Sequence, residues 1–286
     1  EWAFRDCSGL TSITIPKSVT SIGNDAFYGC NNLTVYLESG STLTSNDLGV
    51  DESKIVSYSQ WNEDNLTWKL YEDGTLTISG TGTMKNYNDT DKLSPAYMNS
   101  NVKKVVIEDG VTSIGNYAFT YCVSLTSITI PDSVTSIGYY AFFYCKSLTS
   151  ITIPDSVTSI GNYAFFYCRS LTSITIPDSV TSIGNDAFYG CSSLQTISLS
   201  CKSSLKKSDF GGQANLVSYT SHILNKTEAK AATCTEDGNK EYWTCEHCGK
   251  YFLSDDTNPE TAKAVEQSET IIPASHKLTK VDAKAV

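Results

Sequence analysis

The sequence predicts a solenoid, in which stacked coils of 23 residues form a parallel β-sheet with short helical turns, followed by a small β-rich module. Three observations predict this architecture. A segment that begins at Leu125 recurs almost unchanged from Leu148 and again from Leu171. Within each copy, apolar and polar residues alternate as in a strand with one buried face. Since one coil cannot bury its apolar side alone, the copies have to stack.

Each coil divides into a strand, a corner and a turn. Ile128 and Ile130 alternate with Thr129, which predicts a strand with one buried face. Pro131 ends that strand, because proline has no amide hydrogen to donate to a ladder. Gly138 then allows a turn, and the spacing of the Ala, Phe and Cys that follow it suits one short helical turn.

Two stretches that depart from the repeat are expected to close the coil arrays. Residues 33–58 and 194–219 share an order of apolar positions and an Asp-x-Gly motif, so they look like one terminating coil used twice. Repeat arrays need such atypical ends to cover their last core face. Between the two stretches, residues 66–71 and 75–79 flank an Asp-Gly turn, which predicts a β-hairpin.

These features divide the chain into four parts. Residues 1–60 are the end of a first array with its terminal cap, and residues 61–101 are a hairpin-containing N-terminal cap of a second array. Residues 102–220 are the second array with its terminal cap. Residues 221–286 are a Cys/His module with the start of its next copy.

The repeat pattern L-x-x-I-x-I-P-x-S-V-T-x-I-G-x-x-A-F-x-x-C-x-x, complete between residues 125 and 193, resembles the bacterial leucine-rich repeats of the Treponema pallidum type. These repeats occur in BspA-like surface proteins, and the resemblance covers about residues 1–60 and 102–220. It implies a leucine-rich-repeat solenoid on a bacterial cell surface or secreted from the cell. It also implies adhesion or protein recognition, without catalysis.

Composition and charge exclude several classes of protein. The 31 acidic and 21 basic residues give a net charge of −10, whereas a nucleic-acid binder needs basic surface to neutralise phosphates. The sequence contains no apolar stretch of about 18 residues, so we expect no membrane span in this chain. Serines and threonines are abundant, but no histidine lies near the arrays to serve as the base of a Ser-His-Asp triad. We therefore expect no enzymatic activity.

Six of the ten cysteines occupy one position of the repeat. We expect them to be buried thiols beside the conserved Phe of each coil, where a free cysteine acts as a small hydrophobe. Disulfides between coils are not expected, because equivalent side chains of stacked coils point in parallel. Cys201 lies outside this series, where the first cap has Ser39, and is interpreted as an incidental thiol. The series, called the cysteine ladder below, consists of Cys7, Cys30, Cys122, Cys145, Cys168 and Cys191.

The remaining cysteines predict a structural zinc site. Cys234, Cys245 and Cys248 form a C-x10-C-x2-C cluster, and the Cys-x-x-Cys-Gly segment resembles a zinc knuckle. A structural zinc ion takes four ligands, so one place is left open. The alternatives are a reduced or disulfide-linked Cys245–Cys248 pair, since the chain is expected to be extracellular, and a redox site, which lacks its βαβ context.

The three histidines compete for the fourth position. Residues 221–231 match residues 275–285 at an offset of 54, so each copy of the module opens with a histidine, His222 or His276. We favour His276 as the fourth ligand, then His222, and place His247 third because it lies between the two knuckle cysteines. The module resembles cysteine-containing tandem repeats of large bacterial surface proteins.

Three functions remain open for the arrays. Outward threonines of the strands and the variable aromatics of the turns favour an interaction protein that binds protein ligands, such as host surface or matrix proteins. The aromatics fit equally well as packing between neighbouring coils. The near-identity of the coils favours a structural stalk, and the aromatics also allow a carbohydrate-binding surface. The residues are Thr14, Thr129, Thr152 and Thr175 in the strands, and Tyr139, Tyr140, Tyr144, Tyr163, Phe166 and Tyr167 in the turns.

Overall fold

A computed structural model describes residues 1–221, 223–232, 237–246, 249–255 and 262–272 of the chain. It confirms the predicted solenoid of mostly parallel strands. Among the described residues, no helix is both long enough and apolar enough to cross a membrane.

The first array ends in a cap that continues its parallel sheet. The strands run side by side in parallel, so that Ile13 is level with Val35 and Val35 is level with Ile55. A capping box between Thr44 and Asp47 starts the cap's short helix. The elements are β1 (Ser12–Ile15), β2 (Thr34–Glu38), α1 (Ser45–Leu48), a 3₁₀ helix (Glu52–Lys54) and β3 (Ile55–Glu63).

The predicted hairpin connects the two arrays within one sheet. β4 (Leu66–Tyr71) pairs antiparallel with β3 and with β5 (Thr75–Gly80), and the turn between β4 and β5 contains Asp73 and Gly74. A short strand, β6 (Gly82–Thr83), follows. β5 then pairs in parallel with the first strand of the second array, so the sheet is continuous from one array to the other. The apolar cores on either side of the hairpin are nevertheless separate clusters.

The second array has two parallel ladders instead of the one that the sequence predicts. The additional ladder runs through Ser136, Ser159 and Ser182. Gly161 permits it, because a Cβ atom there would lie 2.6 Å from the backbone nitrogen of Tyr139. The strands are β7 (Lys104–Ile107), β8 (Val111–Ser113), β9 (Ser127–Thr129), β10 (Ser136–Ile137), β11 (Ser159–Ile160), β12 (Ser173–Thr175), β13 (Ser182–Ile183), β14 (Thr196–Leu199) and, after a 3₁₀ helix (Lys207–Leu216), β15 (Val217–Tyr219).

The two stretches interpreted as terminal caps, residues 33–58 and 194–219, have similar local structures. In both, a strand leads through a short helix that contains the Asp-x-Gly motif to a parallel partner strand, β2 to β3 in one and β14 to β15 in the other. One expected strand is not formed, at residues 150–153. The backbone hydrogen bonds beside it, from Thr149 to Thr126 and from Thr172 to Thr149, are long at 3.4 Å.

The C-terminal module is built from short antiparallel strands, as expected for a small β-rich unit. β16 pairs with β18, β18 with β19 and β19 with β20, whereas β17 pairs with β21. The elements are β16 (Leu224–Thr227), β17 (Gly238–Asn239), β18 (Tyr242–Cys245), β19 (Tyr251–Phe252), β20 (Ala264–Val265), a 3₁₀ helix (Gln267–Thr270) and β21 (Ile271–Ile272).

Candidate functional site

Only one of the four predicted zinc ligands lies in the described part of the chain. Cys245, at the end of β18, is buried. Cys234, Cys248 and the favoured His276 lie outside the described residues. So do the alternative ligands, His222 and His247. Within the described residues, no group of three or more His, Cys, Asp or Glu side chains could hold a metal ion.

The cysteine ladder is the buried thiol series that the sequence predicts. All six ladder cysteines are free thiols, and five are buried. The sulfurs of the five buried cysteines donate hydrogen bonds to backbone oxygens of the preceding turn, for example Cys145 to Phe119 at 3.1 Å and Cys168 to Phe142 at 3.2 Å. Burial raises the pKa of the Cys145 and Cys168 thiols well above the usual value. These thiols therefore stay protonated and unreactive at neutral pH.

Two expectations about the cysteines are corrected. Cys7 is exposed, whereas the other five ladder cysteines are buried. Cys201 is not an incidental thiol, because its Sγ lies 3.9 Å from the Sγ of Cys245 in a buried cluster with Phe252. The sequence shows no pairing signal for Cys201, since the two cysteines are 44 residues apart.

A stack of buried phenylalanines lies beside the cysteine ladder. Phe119, Phe142, Phe165 and Phe188 stack face to face, with ring centroids 5.2–5.3 Å apart. The stack is closed at one end by Trp68 of the hairpin, 5.9 Å from Phe119. Together these rings, called the inner stack below, run through every coil of the second array and hold the turn segments against the core.

A second set of aromatic side chains covers the outside of the same turns. Most of them are half-buried, and Tyr189 is exposed. Four of its members are not among the six aromatics predicted from the sequence, although they occupy repeat positions adjacent to those six or 23 residues away. This set, called the aromatic patch below, consists of Tyr117, Tyr121, Tyr139, Tyr140, Phe143, Tyr144, Tyr163, Phe166, Tyr167 and Tyr189.

The tyrosines of the patch occupy backbone positions that disfavour them. This segment of the coil is not a regular helix but a series of tight turns, and its backbone amides also bond to the next coil. The Tyr140 amide donates to the Asn162 oxygen at 3.0 Å, and the Tyr144 amide donates to the Phe166 oxygen at 2.8 Å. This course requires positive φ at both tyrosines, 54° and 61°. A left-handed conformation costs a non-glycine residue about 1–2 kcal/mol.

Two coils outside the patch use residues that this backbone prefers, whereas Trp2 and Met98 occupy equivalent positions of other coils at φ values of 59° and 53°. At the position of Tyr140, the coil before the first cap and the last repeat have Asp25 and Asp186. At the position of Tyr144, they have Gly29 and Gly190. Glycine and aspartate adopt positive φ more readily than tyrosine. The three central coils alone carry tyrosine at both positions, which are Tyr117 and Tyr121, Tyr140 and Tyr144, and Tyr163 and Tyr167.

Two basic side chains border the patch. The Lys146 Nζ lies 4.8 Å from the ring centroid of Tyr144, and the Arg169 guanidinium carbon lies 5.0 Å from that of Tyr167. Cations in this position are attracted to the electron-rich ring face. The other coils have Val123 or a serine or asparagine at the same position, so the positive charge is confined to the patch.

The strand side of the second array presents a different surface. Thr129, Thr152 and Thr175 are exposed there, as predicted, and form a row of hydroxyl groups. A groove of about 620 Å³ follows the additional ladder and is lined mainly by the serines, isoleucines, glycines and asparagines of successive coils. The amide oxygens of Asn116 and Asn162 already accept backbone hydrogen bonds at 2.8 Å within the protein. These two amide oxygens are therefore already engaged within the protein.

The repeat motif identifies the family of this protein. The BspA type leucine rich repeat region matches the chain in six copies, over residues 1–48 and 94–217. This match covers more than half of the sequence. The chain belongs to the BspA-type leucine-rich repeat family. The aromatic patch lies within the matched part of this BspA-type protein, whereas the Cys/His module lies outside it.

Solved structures that resemble this BspA-type protein are bacterial leucine-rich repeat proteins. One from Eubacterium ventriosum is 32% identical, with 51% of this chain and 45% of that chain covered and a TM-score of 0.44. The leucine-rich repeat protein of T. pallidum is 27% identical, with 49% and 72% covered and a TM-score of 0.38. A leucine-rich cell surface protein from Faecalibacterium prausnitzii is 25% identical, with 76% and 65% covered and a TM-score of 0.41. No curated protein matches the sequence.

Proposed function

We propose that this BspA-type protein is a surface-exposed or secreted bacterial protein that binds a partner protein through the aromatic patch, without catalysis. The partner surface presents apolar side chains to the tyrosine and phenylalanine rings. It presents acidic groups to Lys146 and Arg169, which border the patch. Tyrosine suits such an interface because its ring is apolar and its hydroxyl group forms hydrogen bonds.

The observation that carries this proposal is the choice of tyrosine at positions of positive φ. Tyr140 and Tyr163 occupy a position where Asp25 and Asp186 serve the same backbone. Packing alone does not require the tyrosines, because coils with aspartate and glycine form the same turn. A side chain retained against a cost of about 1–2 kcal/mol per position indicates a role outside the fold.

The arrangement of the rings favours a protein partner over a carbohydrate. Tyr140 and Tyr163 stack at 4.8 Å with their planes 10° apart, and Phe143 and Phe166 stack at 5.3 Å. Stacked rings cover one another's faces and present edges and hydroxyl groups outward. A sugar ring needs an open aromatic face, whereas protein side chains also pack well against ring edges.

Surface exposure is supported by the relatives. The similar protein of F. prausnitzii is described as a leucine-rich cell surface protein. We extend that location to this chain, as adhesion or recognition of host surface or matrix proteins requires. A structural stalk remains the second candidate, because the coils from residue 125 to residue 193 are nearly identical.

The proposal is tested by replacing the patch with residues that the same repeat uses elsewhere. A fourfold variant, Tyr140→Asp, Tyr144→Gly, Tyr163→Asp and Tyr167→Gly, places the residues of the last repeat in two central coils. Binding to immobilised collagen, laminin and fibronectin and to epithelial cell surfaces is measured for both proteins. We expect the variant to fold as the wild type does and to bind at least tenfold more weakly, because it lacks the ring contacts.

A matched control changes the opposite surface. The variant Thr129→Ala, Thr152→Ala and Thr175→Ala removes the exposed hydroxyl row and leaves the patch intact. We expect it to bind as the wild type does. If only the threonine variant lost binding, the binding surface would be the sheet and not the patch. If the wild-type protein bound none of the components, the structural stalk would be favoured.

A further inference from the structure

Two tyrosine rings of neighbouring coils lie face to face in the aromatic patch. The ring centroids of Tyr140 and Tyr163 are 4.8 Å apart, and the ring planes differ by 10°. Both side chains are half-buried, so part of each remains accessible to solvent. The turn itself does not require tyrosine, since Asp186 occupies the equivalent position of the next coil. Two phenol rings are thus held in contact at a place that solvent reaches.

The backbone keeps this pair in register. The Tyr140 amide donates to the Asn162 oxygen at 3.0 Å, and the Phe142 amide donates to the Ala164 oxygen at 2.8 Å. In the inner stack, the rings of Phe142 and Phe165 pack 5.2 Å apart and fix the same two segments. Reacting groups that are fixed in this way need no diffusional encounter, which favours reaction between them over reaction with a second molecule.

Oxidative coupling is the reaction that two phenol rings in contact undergo. A tyrosine that loses one electron also releases its phenolic proton, and the unpaired electron is shared by the oxygen and the ring carbons beside the hydroxyl group. Two such radicals combine through these carbons and form dityrosine. The tyrosine pair of the hairpin region is less suited to this reaction, because Tyr58 is only 2% exposed and its ring lies 6.0 Å from that of Tyr71.

We propose that Tyr140 and Tyr163 form a site of oxidative cross-linking, at which hydrogen peroxide and a haem peroxidase join two coils through a dityrosine bond. Each tyrosine gives up its phenolic proton and one electron, and one bond forms between the two ring carbons beside the hydroxyl groups. The hydrogens of these two carbons then move to the oxygens, which restores both phenols. Hydrogen peroxide takes up the two electrons and two protons and becomes two molecules of water. The bond links neighbouring coils and stabilises the array as a disulfide does, by restricting the unfolded chain.

The first measurement uses the unmodified chain, treated with hydrogen peroxide and a haem peroxidase at low protein concentration. Trypsin cleaves after Lys146, so Tyr140 and Tyr163 fall in separate peptides. We expect a species that joins residues 105–146 to residues 147–169, lighter than the two peptides together by two hydrogen atoms and with the blue fluorescence of dityrosine. Absence of this species from the monomeric protein would overturn the proposal. Dityrosine found only in dimers, or only within one of the two peptides, would overturn it as well.

Phenylalanine variants identify the pair. Tyr163→Phe keeps the stacked ring and removes the hydroxyl group that the coupling needs. Tyr167→Phe is the matched control, because Tyr167 lies in the same coil and the same peptide and faces Tyr144 at 5.0 Å with the ring planes 57° apart. We expect at least tenfold less of the joined species for Tyr163→Phe and an unchanged yield for Tyr167→Phe, with both variants folded by circular dichroism. Equal yields in the two variants, or a loss in Tyr167→Phe alone, would contradict the proposal. The reaction needs no partner protein, so the cross-link and the proposed binding can each fail alone.

Discussion

The inner stack and the aromatic patch are both ladders of rings about 5 Å apart, but they follow different rules. Phe119, Phe142, Phe165 and Phe188 repeat without variation and are fully buried. The patch changes from coil to coil: the three central coils have tyrosine at both positions, the last repeat has Asp186 and Gly190, and the segment before the central coils has Ser94 and Met98. Since the same backbone carries both ladders, the spacing of rings cannot explain the difference.

The difference separates what the fold needs from what it tolerates. Each coil of the second array needs a large apolar ring inside, because the ring fills the space between the strands and the turn. Outside, glycine or aspartate fits the positive φ better than tyrosine does. The inner stack is thus explained by packing, whereas the aromatic patch requires a reason beyond the fold, which we assign to recognition. Four measurements test this contrast.

The largest effect is expected for truncation of the inner stack. Phe142→Ala leaves a cavity between Phe119 and Phe165, and such truncations lower the free energy of unfolding by about 3–5 kcal/mol. Chemical denaturation followed by circular dichroism measures this loss. A loss below about 1 kcal/mol would mean that the inner stack contributes as little to stability as we expect of the aromatic patch.

The second effect concerns pH and the cysteine ladder. Burial raises the pKa of Cys122 to about 12 from 9.0. Below pH 9 the thiol is protonated in both the folded and the unfolded chain, so its full contribution to the free energy of unfolding is present. Between pH 9 and 12 the thiol ionises in the unfolded chain but not in the folded one, so this contribution is lost as the pH rises through 12. The slope is up to about 1.4 kcal/mol per pH unit for each thiol. Denaturation at about pH 8 and 10.5 should show a steeper decline for the wild type than for Cys122→Ala, and equal declines would contradict the buried, protonated thiol.

A smaller effect is expected from removal of one ladder thiol at neutral pH. Cys145→Ala removes the hydrogen bond to the Phe119 oxygen and should cost about 1 kcal/mol of unfolding free energy. Cys7→Ala is the matched control, because Cys7 is exposed and should contribute almost nothing. Equal losses in the two variants, measured by thermal denaturation, would show that burial does not distinguish the ladder thiols.

The smallest effect is expected in the patch itself. Tyr163→Asp removes ring stacking worth about 0.5–1.5 kcal/mol but also relieves the cost of a positive φ, about 1–2 kcal/mol. The net change in unfolding free energy should therefore stay within about 1 kcal/mol. Chemical denaturation provides the test, with Phe165→Ala of the same coil as the destabilised comparison. A loss near that of Phe165→Ala would assign the patch to packing.

Much of this fold could be predicted because its information is local and repeated. The alternation of Ile128, Thr129 and Ile130 indicates the buried face of a strand, and Asp73-Gly74 marks the hairpin. The additional ladder through Ser136 and Ser159 escaped prediction, because a strand of two residues has no measurable period. The continuity of the sheet across the hairpin also depends on pairing between distant strands.

The candidate sites were less predictable than the fold. The sequence identified the tyrosines of the patch as variable positions, but stacking with their neighbours and positive φ emerge only when coils lie side by side. Cys201 carried no signal at all, because its contact with Cys245 crosses from the array to the module. A sequence motif reports residues that are close along the chain, so it can indicate a C-x2-C pair but not a contact with a residue of another unit.

By itself, the sequence determined the period, the inward residues, the caps and the family of this protein. Those properties follow from spacing along one coil, and stacking of identical coils repeats them without further information. The tertiary structure decided which side chains meet across coils and between units, namely the stacked patch and the Cys201–Cys245 contact. Both depend on the close approach of segments far apart in sequence, which no pattern within one repeat contains.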